Sequence, residues 1–258
     1  MSIMVDLNSD VGESFGAWRL GDDAHVLDYV SSANVACGFH AGDPKVMLTT
    51  VRLAHDRDVA VGAHPGYPDL AGFGRRAMTC APDEIYAFCL YQIGALAAIC
   101  HAQGISLSHV KAHGALYNQS ARDASIARAV AQATRDAAPG LILLGLAGSR
   151  HEAAARDLGV PFAAEVFADR AYQSDGSLVA RSQADSVLHD PEVIAARVIS
   201  MVTNGTVETA QGQTVHVHAD SVCVHGDNPA ALAILKVVRR ALDGAGVRIG
   251  PLREVLSL

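Results

Sequence analysis

Short apolar runs rich in β-branched residues alternate along this chain with longer, alanine-rich segments whose apolar positions recur at helical spacing. The short runs predict strands, and the long segments predict helices that cover them. Repeated strand–helix units of this kind form parallel sheets. The predicted strands are residues 3–7, 33–36, 59–62, 109–111, 141–144, 162–166, 221–224 and 247–249.

The predicted helices have recognisable ends. Pro44 suits a first helical turn, where its missing N–H leaves no helical hydrogen bond unmade, and Gly104 is typical of the residue that follows a helix. Residues 206–218 predict a hairpin that turns near Gln211 and Gly212. The predicted helices are residues 44–57, 82–103, 122–137, 150–158, 191–204 and 229–245.

Compact polar clusters follow nearly every predicted strand, whereas the amino ends of the strands carry nothing comparable. An open, doubly wound sheet gathers its functional groups at one switch point, but a barrel presents them around a whole ring of strand ends. The pattern therefore favours a single α/β domain, residues 1–258, folded as a (β/α) barrel of about seven parallel strands.

The composition argues against several classes of protein. Half of the 258 residues are hydrophobic, enough for a large core, and 20 basic against 27 acidic residues give a net charge of −7. This balance is not expected of a nucleic-acid-binding surface or an electrostatic membrane anchor. No uninterrupted apolar run approaches the roughly 18 residues of a membrane span, and a signal peptide is not expected. Five cysteines without a CxxC pair indicate free thiols and a cytoplasmic protein.

The first polar cluster alternates acids and amides along the end of a strand. Asp6, Asn8 and Asp10 are spaced two residues apart, so they point to one face and can converge on one site. An EF-hand calcium loop is excluded, because Val11 stands where the loop needs glycine and Ala17 where it needs glutamate. A solvated turn of acids is the alternative interpretation.

Histidines follow four different predicted strands. A lone histidine is usually a packing or surface residue, but four at the same end of a barrel are hard to explain by packing, so together they indicate an active site. Cys37, near the first of them, is better explained as a small buried thiol than as a nucleophile. The four are His40, His64, His113 and His225.

Other charged residues accompany these histidines. Arg75 and Arg76 lie in a glycine-rich loop that could hold a carboxylate or a phosphate, although paired arginines are more often solvated. Lys111 shares a strand face with His113 if that strand extends through both residues. Asp227 has helix capping as its alternative role. The remaining candidates are Glu13, Glu165, Asp169 and Arg170.

The remaining histidines have structural explanations. Five lie within or beside helical segments and are expected to be surface or packing residues. His216 and His218 share a face of the predicted hairpin, but no third zinc ligand lies near them in the sequence. The five are His25, His55, His101, His151 and His189.

Six strings, in order and spread over nearly the whole chain, resemble the LamB/YcsF family. One departure is visible: Ala112 stands between the lysine and histidine of the fourth string, where the family usually has proline. This change removes no reactive group. The strings are DLNSDVGESFG (6–16), ANVACGFHAGDP (33–44), GAHPGYPDLAGFGRR (62–76), HGALYN (113–118), EVFADRAY (165–172) and VHGDNP (224–229).

The resemblance implies a distorted barrel related to metal-dependent polysaccharide deacetylases. It also implies ATP-dependent opening of 5-oxo-L-proline to L-glutamate, carried out together with partner subunits B and C of a 5-oxoprolinase. By similarity to the deacetylases, Asp10, His64 and His113 would bind a divalent metal, with His40 in reserve. The metal could be Mg²⁺ accompanying ATP or a bound transition metal.

A lactam is an unactivated amide, and phosphorylating its oxygen would make the ring carbon a better electrophile. Such a site needs cations to spread phosphate charge and acids to manage protons. Lys111 with Arg75 or Arg76 fits the first need. No GxxxxGK[ST] phosphate loop occurs, so the sequence does not assign the ATP site to this chain. Acid–base, metal-binding or other catalytic roles are expected of Asp6, Asn8, Glu13, His40, Glu165, Asp169, Arg170, His225 and Asp227.

Two other functions remain open at this stage. A stand-alone metal-dependent deacetylase or amidase would use a metal-activated water and need neither ATP nor partners. A lactam- or carbohydrate-binding protein without activity would keep its ligand affinity when His64 and His113 are lost.

Overall fold

The computed structural model describes residues 3–226 and 230–258. Strands and helices alternate through the chain as the apolar pattern predicts. The strands are β1 (Met4–Val11), β2 (Ser32–Ala36), β3 (Ala60–His64), β4 (His109–Val110), β5 (Ile142–Leu146), β6 (Phe162–Phe167), β7 (Thr206–Glu208), β8 (Thr214–His216), β9 (Ser221–Cys223) and β10 (Arg248–Ile249).

The helices lie between the strands and around them. A π-helical turn, Ser200–Asn204, continues directly from α7. The α-helices are α1 (Asp23–Val26), α2 (Pro44–His55), α3 (Pro82–Ala102), α4 (Gly114–Ser120), α5 (Ala124–Ala137), α6 (Arg150–Leu158), α7 (Pro191–Ile199), α8 (Ala231–Gly244) and α9 (Leu252–Val255).

Seven parallel strands of the described chain close into a barrel in the order β1-β2-β3-β4-β5-β6-β9. Closure occurs at β1, which pairs with β2 through Asn8–Val11 and with β9 through Asp6–Asn8. The short strand β10 pairs with the first residues of β1, outside the closed ring. The predicted barrel of about seven parallel strands is confirmed.

The first strand is longer than predicted. The predicted strand ended at residue 7, but β1 runs to Val11, and all of its residues from Val5 onward are buried. The polar side chains Asn8 and Asp10 sit inside the barrel, where they find hydrogen-bond partners. Polarity therefore did not end the strand, because its polar groups are satisfied internally.

Several helix boundaries also differ from prediction. The helix predicted from residue 122 begins at Ala124, because the Asp123 side chain caps it by accepting from two backbone N–H groups. The helix predicted for 191–204 changes to a π-helical turn at Ser200. Helices α1 and α4 are short and were not predicted. The predicted start of the last helix, at Pro229, lies outside the described residues.

The predicted hairpin is confirmed: β7 and β8 pair antiparallel, with Gly212 at φ 74° in the turn between them. His218, beyond the hairpin, lies with its Nε2 2.9 Å from Asp220 Oδ1 and is 79% exposed. Its interaction is therefore a surface contact with an acid.

Helix α3 is the one helix among the described residues that is long and apolar enough to cross a membrane. It packs against α5 and β3 of the barrel, and a third of its most apolar window is buried. A core helix of a globular protein meets the same criterion, so this is weak evidence for insertion in a membrane.

A buried carboxylate lies near the amino ends of the strands. Asp6 Oδ1 accepts hydrogen bonds from the hydroxyls of Ser31 and Ser32, at 2.7 and 2.6 Å, and Oδ2 accepts one from Ser221. Burial raises the pKa of Asp6 to about 6, although the three serine donors favour the ionised form. Asp6 is absent from the pocket at the other end of the barrel, contrary to its expected convergence with Asp10 on one site.

The barrel wall also contains a close backbone approach. A Cβ atom at Gly62 of β3 would lie 2.1 Å from Nε2 of His109 on the neighbouring strand. His109 is fully buried, and its Nε2 lies 2.8 Å from Asn34 Oδ1. The ring therefore has little freedom to move away.

The first prediction concerns this approach. We expect Gly62→Ala to lower the free energy of unfolding by about 1–3 kcal/mol, because the added methyl group overpacks the wall. The control, Gly94→Ala in α3, adds a Cβ with nothing within 4 Å. It should raise stability by up to about 1 kcal/mol. Urea unfolding measures both variants, and equal stabilities would contradict the packing described here.

The second prediction concerns Asp6. A group whose folded pKa lies above its unfolded value makes stability fall as pH rises between the two values. The wild-type free energy of unfolding should therefore lose about 3 kcal/mol from this residue between about pH 4 and pH 6. Asp6→Asn should remove that loss, because an amide carries no charge and can still accept from Ser31 and Ser32.

Urea unfolding measured from pH 4 to pH 8 checks this expectation. Asp157→Asn, at an exposed position on α6, is the matched control and should keep the wild-type pH profile. Parallel profiles for Asp6→Asn and the wild type would show that Asp6 does not titrate abnormally.

Candidate functional site

The carboxyl ends of the strands and the loops after them enclose a narrow pocket. Because the barrel strands are parallel, side chains from distant parts of the sequence meet at this end. The pocket is lined by Asp10, His64, Arg75, Lys111, Ala112, His113, Gly114, Tyr117, Asn118, Phe167, Arg170, Leu178, Arg181 and His225.

A buried lysine joins two carboxylates in this pocket. Lys111 Nζ lies 3.0 Å from Asp10 Oδ1 and 2.7 Å from Glu165 Oε1. Burial opposes the ammonium charge, but the nearby anions outweigh burial and hold the pKa of Lys111 well above its ordinary value. Burial likewise disfavours the Asp10 carboxylate, but His64 and Lys111 hold its pKa well below the usual range. Both groups are therefore charged.

Two asparagines and a tyrosine hold the carboxylates in place. Asn34 Nδ2 donates to Asn8 Oδ1 at 2.7 Å and to Asp10 Oδ1 at 2.8 Å. Asn8 Nδ2 donates to Glu165 Oε1 at 3.1 Å, and the Tyr117 hydroxyl donates to Glu165 Oε2 at 2.7 Å. Each oxygen of Glu165 accepts at least one hydrogen bond, so this residue is a fixed anion that positions its neighbours.

The second ring nitrogens of two histidines face each other. His64 Nδ1 donates to the carbonyl of Lys111 at 2.7 Å, and His113 Nε2 donates to the carbonyl of Phe73 at 2.8 Å. These bonds place a proton on His64 Nδ1 and on His113 Nε2, so in neutral rings His64 Nε2 and His113 Nδ1 each carry a lone pair. The two nitrogens are nevertheless only 3.0 Å apart, and Asp10 Oδ2 lies 3.4 Å from His64 Nε2.

A third histidine and a glutamate complete this group. The His40 ring stacks on His113 with 3.7 Å between centroids, and neither His40 nitrogen has a hydrogen-bond partner within the described part of the chain. Glu13 Oε1 lies 3.8 Å from His113 Nδ1 and 4.0 Å from His40 Nε2. We call Glu13, His40, His64 and His113 the histidine cluster.

The histidine cluster fits a metal ion. One ligand atom from each of its members lies within 4.8 Å of the others. Ligands of tetrahedral Zn²⁺ are separated by about 3.3 Å, close to the distance between the facing nitrogens. Burial holds the pKa values of His40 and His113 well below the usual range, so both rings are neutral, as metal ligation requires. When both rings are neutral, a metal ion between the facing nitrogens would offset the repulsion of their lone pairs, whereas a proton on His64 Nε2 would join the same two nitrogens by a hydrogen bond.

A second group of potential ligands does not fit a metal. Asp10, Cys223 and His225 are also close together. However, Lys111 Nζ lies 3.1 Å from Cys223 Sγ as well as beside Asp10, so an ammonium ion already interacts with two of the three. Burial raises the pKa of Cys223 well above its ordinary value, which keeps it a thiol.

An aspartate orients the histidine of the last string. Asp169 Oδ1 lies 2.8 Å from His225 Nδ1, and both side chains are buried. The ring also stacks on Phe167, with 5.4 Å between centroids. An aspartate in this position fixes the Nδ1 proton, which leaves Nε2 to exchange a proton with a ligand.

The arginines separate into two environments. Arg75 lines the pocket, and its Cζ lies 4.8 Å from the centroid of the Phe73 ring. Arg76, by contrast, forms an ion pair with Asp69, and 68% of its side chain is exposed. Arg170 is buried, and its guanidinium donates to the carbonyls of Ser186 and Val179 at 3.2 and 2.6 Å. Of the predicted pair Arg75 and Arg76, therefore, Arg75 alone lines the pocket.

The structure brings most of the predicted residues together at one end of the barrel. Asp6 lies apart from them, and Asp227 lies outside the described residues. Cys37 is buried, and burial raises the pKa of its thiol to about 12, as expected of a packing residue. All five cysteines are free. His151, expected to be a packing or surface residue, is buried with its Nε2 2.6 Å from Ser120 Oγ.

Sequence reasoning missed four residues of the site. Tyr117 lies within the string HGALYN but was given no role, and Asn34 likewise lies within one of the six strings. His109 precedes Lys111 and His113 at spacing two, a signal that was available. Arg181 lies in no string and in no predicted element.

Comparison with known proteins agrees with this geometry. The profile of the LamB/YcsF family matches residues 5–257. The A subunit of 5-oxoprolinase from Bordetella pertussis is 54% identical over 249 residues, which cover 96% of this chain and 99% of that protein. The crystal structure of the lactam utilization protein from Thermus thermophilus superposes with a TM-score of 0.91 at 49% identity, covering 96% of this chain and 99% of that one.

A more distant likeness concerns the fold alone. T48 deacetylase with substrate superposes with a TM-score of 0.51 at 12% identity, covering 99% of this chain and 92% of the deacetylase. The predicted relationship to polysaccharide deacetylase-like barrels is thereby confirmed for the architecture. By the match over nearly its whole length, this chain belongs to the LamB/YcsF family.

Proposed function

We propose that this chain is the A subunit of an ATP-dependent 5-oxoprolinase, which opens 5-oxo-L-proline to L-glutamate in the cytoplasm together with partner subunits B and C. The observation that carries the proposal is the 54% identity, over 96% of the chain, to the A subunit of a 5-oxoprolinase. The buried, charged pocket supports it, because an ion-paired ammonium buried beside a cluster of histidines is typical of a functional site.

The reaction needs an amide carbon that is activated for attack and a proton for the ring nitrogen that leaves it. Opening an unstrained lactam is slow because the amide is a poor electrophile. Transfer of the γ-phosphoryl group of ATP, with Mg²⁺, to the lactam oxygen releases ADP and activates the ring carbon. A water molecule then adds to that carbon and the ring C–N bond breaks, which leaves an acyl phosphate that a second water hydrolyses to glutamate and inorganic phosphate. No GxxxxGK[ST] phosphate loop occurs in the sequence, so the proposal does not require this chain to hold the nucleotide.

We propose that His40, His64, His113 and Glu13 hold a divalent transition metal, with Asp10 beside them. Imidazole and carboxylate ligands suit ions such as Zn²⁺ or Mn²⁺. When bound, such an ion would polarise a carbonyl or lower the pKa of a water molecule. The carbonyls of Lys111 and Phe73 fix the tautomers that make the two facing nitrogens available.

Lys111 is proposed to stabilise the negative charge of the phosphoryl group as it is transferred to the lactam oxygen. Its ammonium lines the pocket and is fixed by Asp10 and Glu165. A fixed charge in a site that excludes water stabilises a developing anion without reorganisation. Asn8 and Glu165 then act as positioning residues, since they contact the lysine.

The pair Asp169 and His225 is proposed to transfer protons. Ring opening releases an amine, which must gain a proton, and a histidine oriented by a buried aspartate suits this step. Asp10 keeps its charge through contact with Lys111, so a role in orienting these groups fits it better than proton transfer.

One observation favours a second candidate function. The histidine cluster and the deacetylase-like barrel would also suit a stand-alone metal-dependent amidase or deacetylase. Such an enzyme would need neither ATP nor partner subunits, which separates it experimentally from the first proposal.

The third prediction concerns metal binding by the purified chain. We expect one Co²⁺ or Zn²⁺ ion to bind, with a Co²⁺ absorption spectrum typical of histidine ligation. His64→Ala and His113→Ala should each weaken binding by more than about 100-fold, because losing a ligand costs more than losing an outer-shell partner. The control is His101→Ala at an exposed position on α3.

Titration calorimetry and visible spectroscopy measure this binding without any assay of turnover. Unchanged affinity in both cluster variants would remove the metal from the proposal.

The fourth prediction concerns Lys111. We expect Lys111→Met to lower kcat of the assembled enzyme by about 100-fold or more. Removing the ammonium also leaves two buried carboxylates uncompensated, which destabilises the fold by about 3–5 kcal/mol. The double variant Lys111→Met, Glu165→Gln removes one charge of each sign, so it should regain stability but not activity. Lys236→Met, at an exposed position, is the control.

Glutamate and ADP formation are measured with this chain alone, with subunits B and C alone, and with all three. Product that appears only in the complete mixture with ATP is the expected result. Lactam opening or deacetylation by the chain alone, without ATP, would favour the second candidate. Full activity of the folded double variant would exclude a chemical role for Lys111.

A further inference from the structure

Three arginines from two loops line the same pocket. Arg75 follows β3, whereas Arg170 and Arg181 belong to the segment between β6 and α7. Burial lowers the pKa of Arg170 to about 10, and the neighbouring charges of Arg181 and Arg75 act in the same direction. The guanidinium groups are therefore near enough to repel one another. A pocket with this excess of positive charge is complementary to an anion.

The three arginines differ in the contacts that hold them. Arg170 is almost fully buried and donates to the carbonyls of Val179 and Ser186, which flank Arg181 in the sequence. It therefore holds the segment that carries Arg181 against the pocket. Arg75 is held by packing on Phe73. Arg181 is exposed and also lines the pocket.

The rest of the pocket suits a small ring. Phe167 and Leu178 contribute apolar surface, while Lys111, His64 and His113 supply the polar groups at which an amide would react. A molecule bound here would thus present its ring to the apolar surface and its amide to Lys111. An anionic substituent on the ring would then lie beside the arginines.

We propose that Arg75 and Arg181 bind the carboxylate of the substrate and make this site selective for lactams that carry one. The inference rests on the proposed function and extends it to the recognition of the ring substituent. A guanidinium has five N–H donors and matches a carboxylate in a bidentate geometry, so it can bind the substrate while keeping other contacts. Arg170 is a positioning residue, since its guanidinium holds the segment of Arg181.

A carboxylate fits this pocket better than a nucleotide phosphate. The arginines lie on loops around a narrow pocket and offer side-chain guanidinium groups to a ligand, and Gly114 is the one glycine among its described lining residues. A lactam carboxylate is attached directly to the reacting ring, so it would reach the arginines while the amide lies at Lys111.

The fifth prediction compares three small ligands: 5-oxo-L-proline, its neutral carboxamide, and 2-pyrrolidinone, which is the same ring without the substituent. Calorimetry on the isolated chain should show the carboxylate binding at least about 10-fold more tightly than either neutral lactam. Arg181→Met should abolish that preference, and Arg181→Lys should keep only part of it, because lysine lacks the bidentate fork.

The matched control is Arg122→Met. Arg122 is exposed and donates to Ser177 in a neighbouring cavity outside the pocket, so its loss tests a general effect of positive charge. The control should keep the wild-type preference. In the assembled enzyme, Arg181→Met should raise KM for 5-oxoproline about 10-fold or more while changing kcat less, as expected of a group that binds the ring substituent.

The outcomes separate this inference from the proposed function. Equal binding of all three lactams, or an unchanged preference in Arg181→Met, would overturn carboxylate recognition. Carboxylate recognition would also be overturned if Arg181→Met changed the affinity for inorganic phosphate or the KM for ATP but left the affinity for the lactam unchanged. If the chain prefers the carboxylate through Arg181 but the assembled enzyme forms no glutamate, the recognition stands and the proposed reaction is wrong.

Discussion

The ion pairs of Lys111 with Asp10 and Glu165 are the interactions on which the site depends. An unpaired charge inside a barrel is strongly unfavourable, so the ammonium and both carboxylates are stable there only together. The three residues come from the ends of β1 and β6 and from the residue after β4. These ion pairs therefore fix the positions of β1, β4 and β6 relative to one another at this end of the barrel.

The long first strand supplies the framework for this arrangement. Its inward side chains alternate along the barrel axis, and each meets a different layer of partners. Asp6 meets serines at the amino end, Asn8 meets Glu165 in the middle, and Asp10 meets Lys111 at the carboxyl end. Because the side-chain period of a strand is two, all three residues point into the barrel. Asp6 has a structural role, Asn8 positions Glu165, and Asp10 supplies a charge beside Lys111.

The sequence predicted the barrel and most of the site, but some of the site could not be read from it. Strand ends are local signals, so His64, Lys111 and His113 could be placed at one end of the barrel. The approach of Glu13 to His40 depends on how two loops fold over the strand ends, and loops carry no periodic signal. Arg181 was missed for the same reason, since its segment belongs to no regular element. The extension of β1 to Val11 was indicated only by the spacing of Asn8 and Asp10, since the apolar run on which the predicted strand rested ends at Leu7.

The position of the buried lysine also explains how its ammonium and a metal ion at the histidine cluster could both fit in so small a space. Asp10 contacts both Lys111 and His64, so it lies between the ammonium and the histidine cluster. Because the ammonium lies beside Cys223 and Asp10, a metal ion there would meet strong repulsion. A metal ion would therefore bind on the other side of Asp10, where His40, His113 and Glu13 offer ligands. In the proposed reaction, one carboxylate would thus separate the ammonium from the metal ion and hold both near a single amide group.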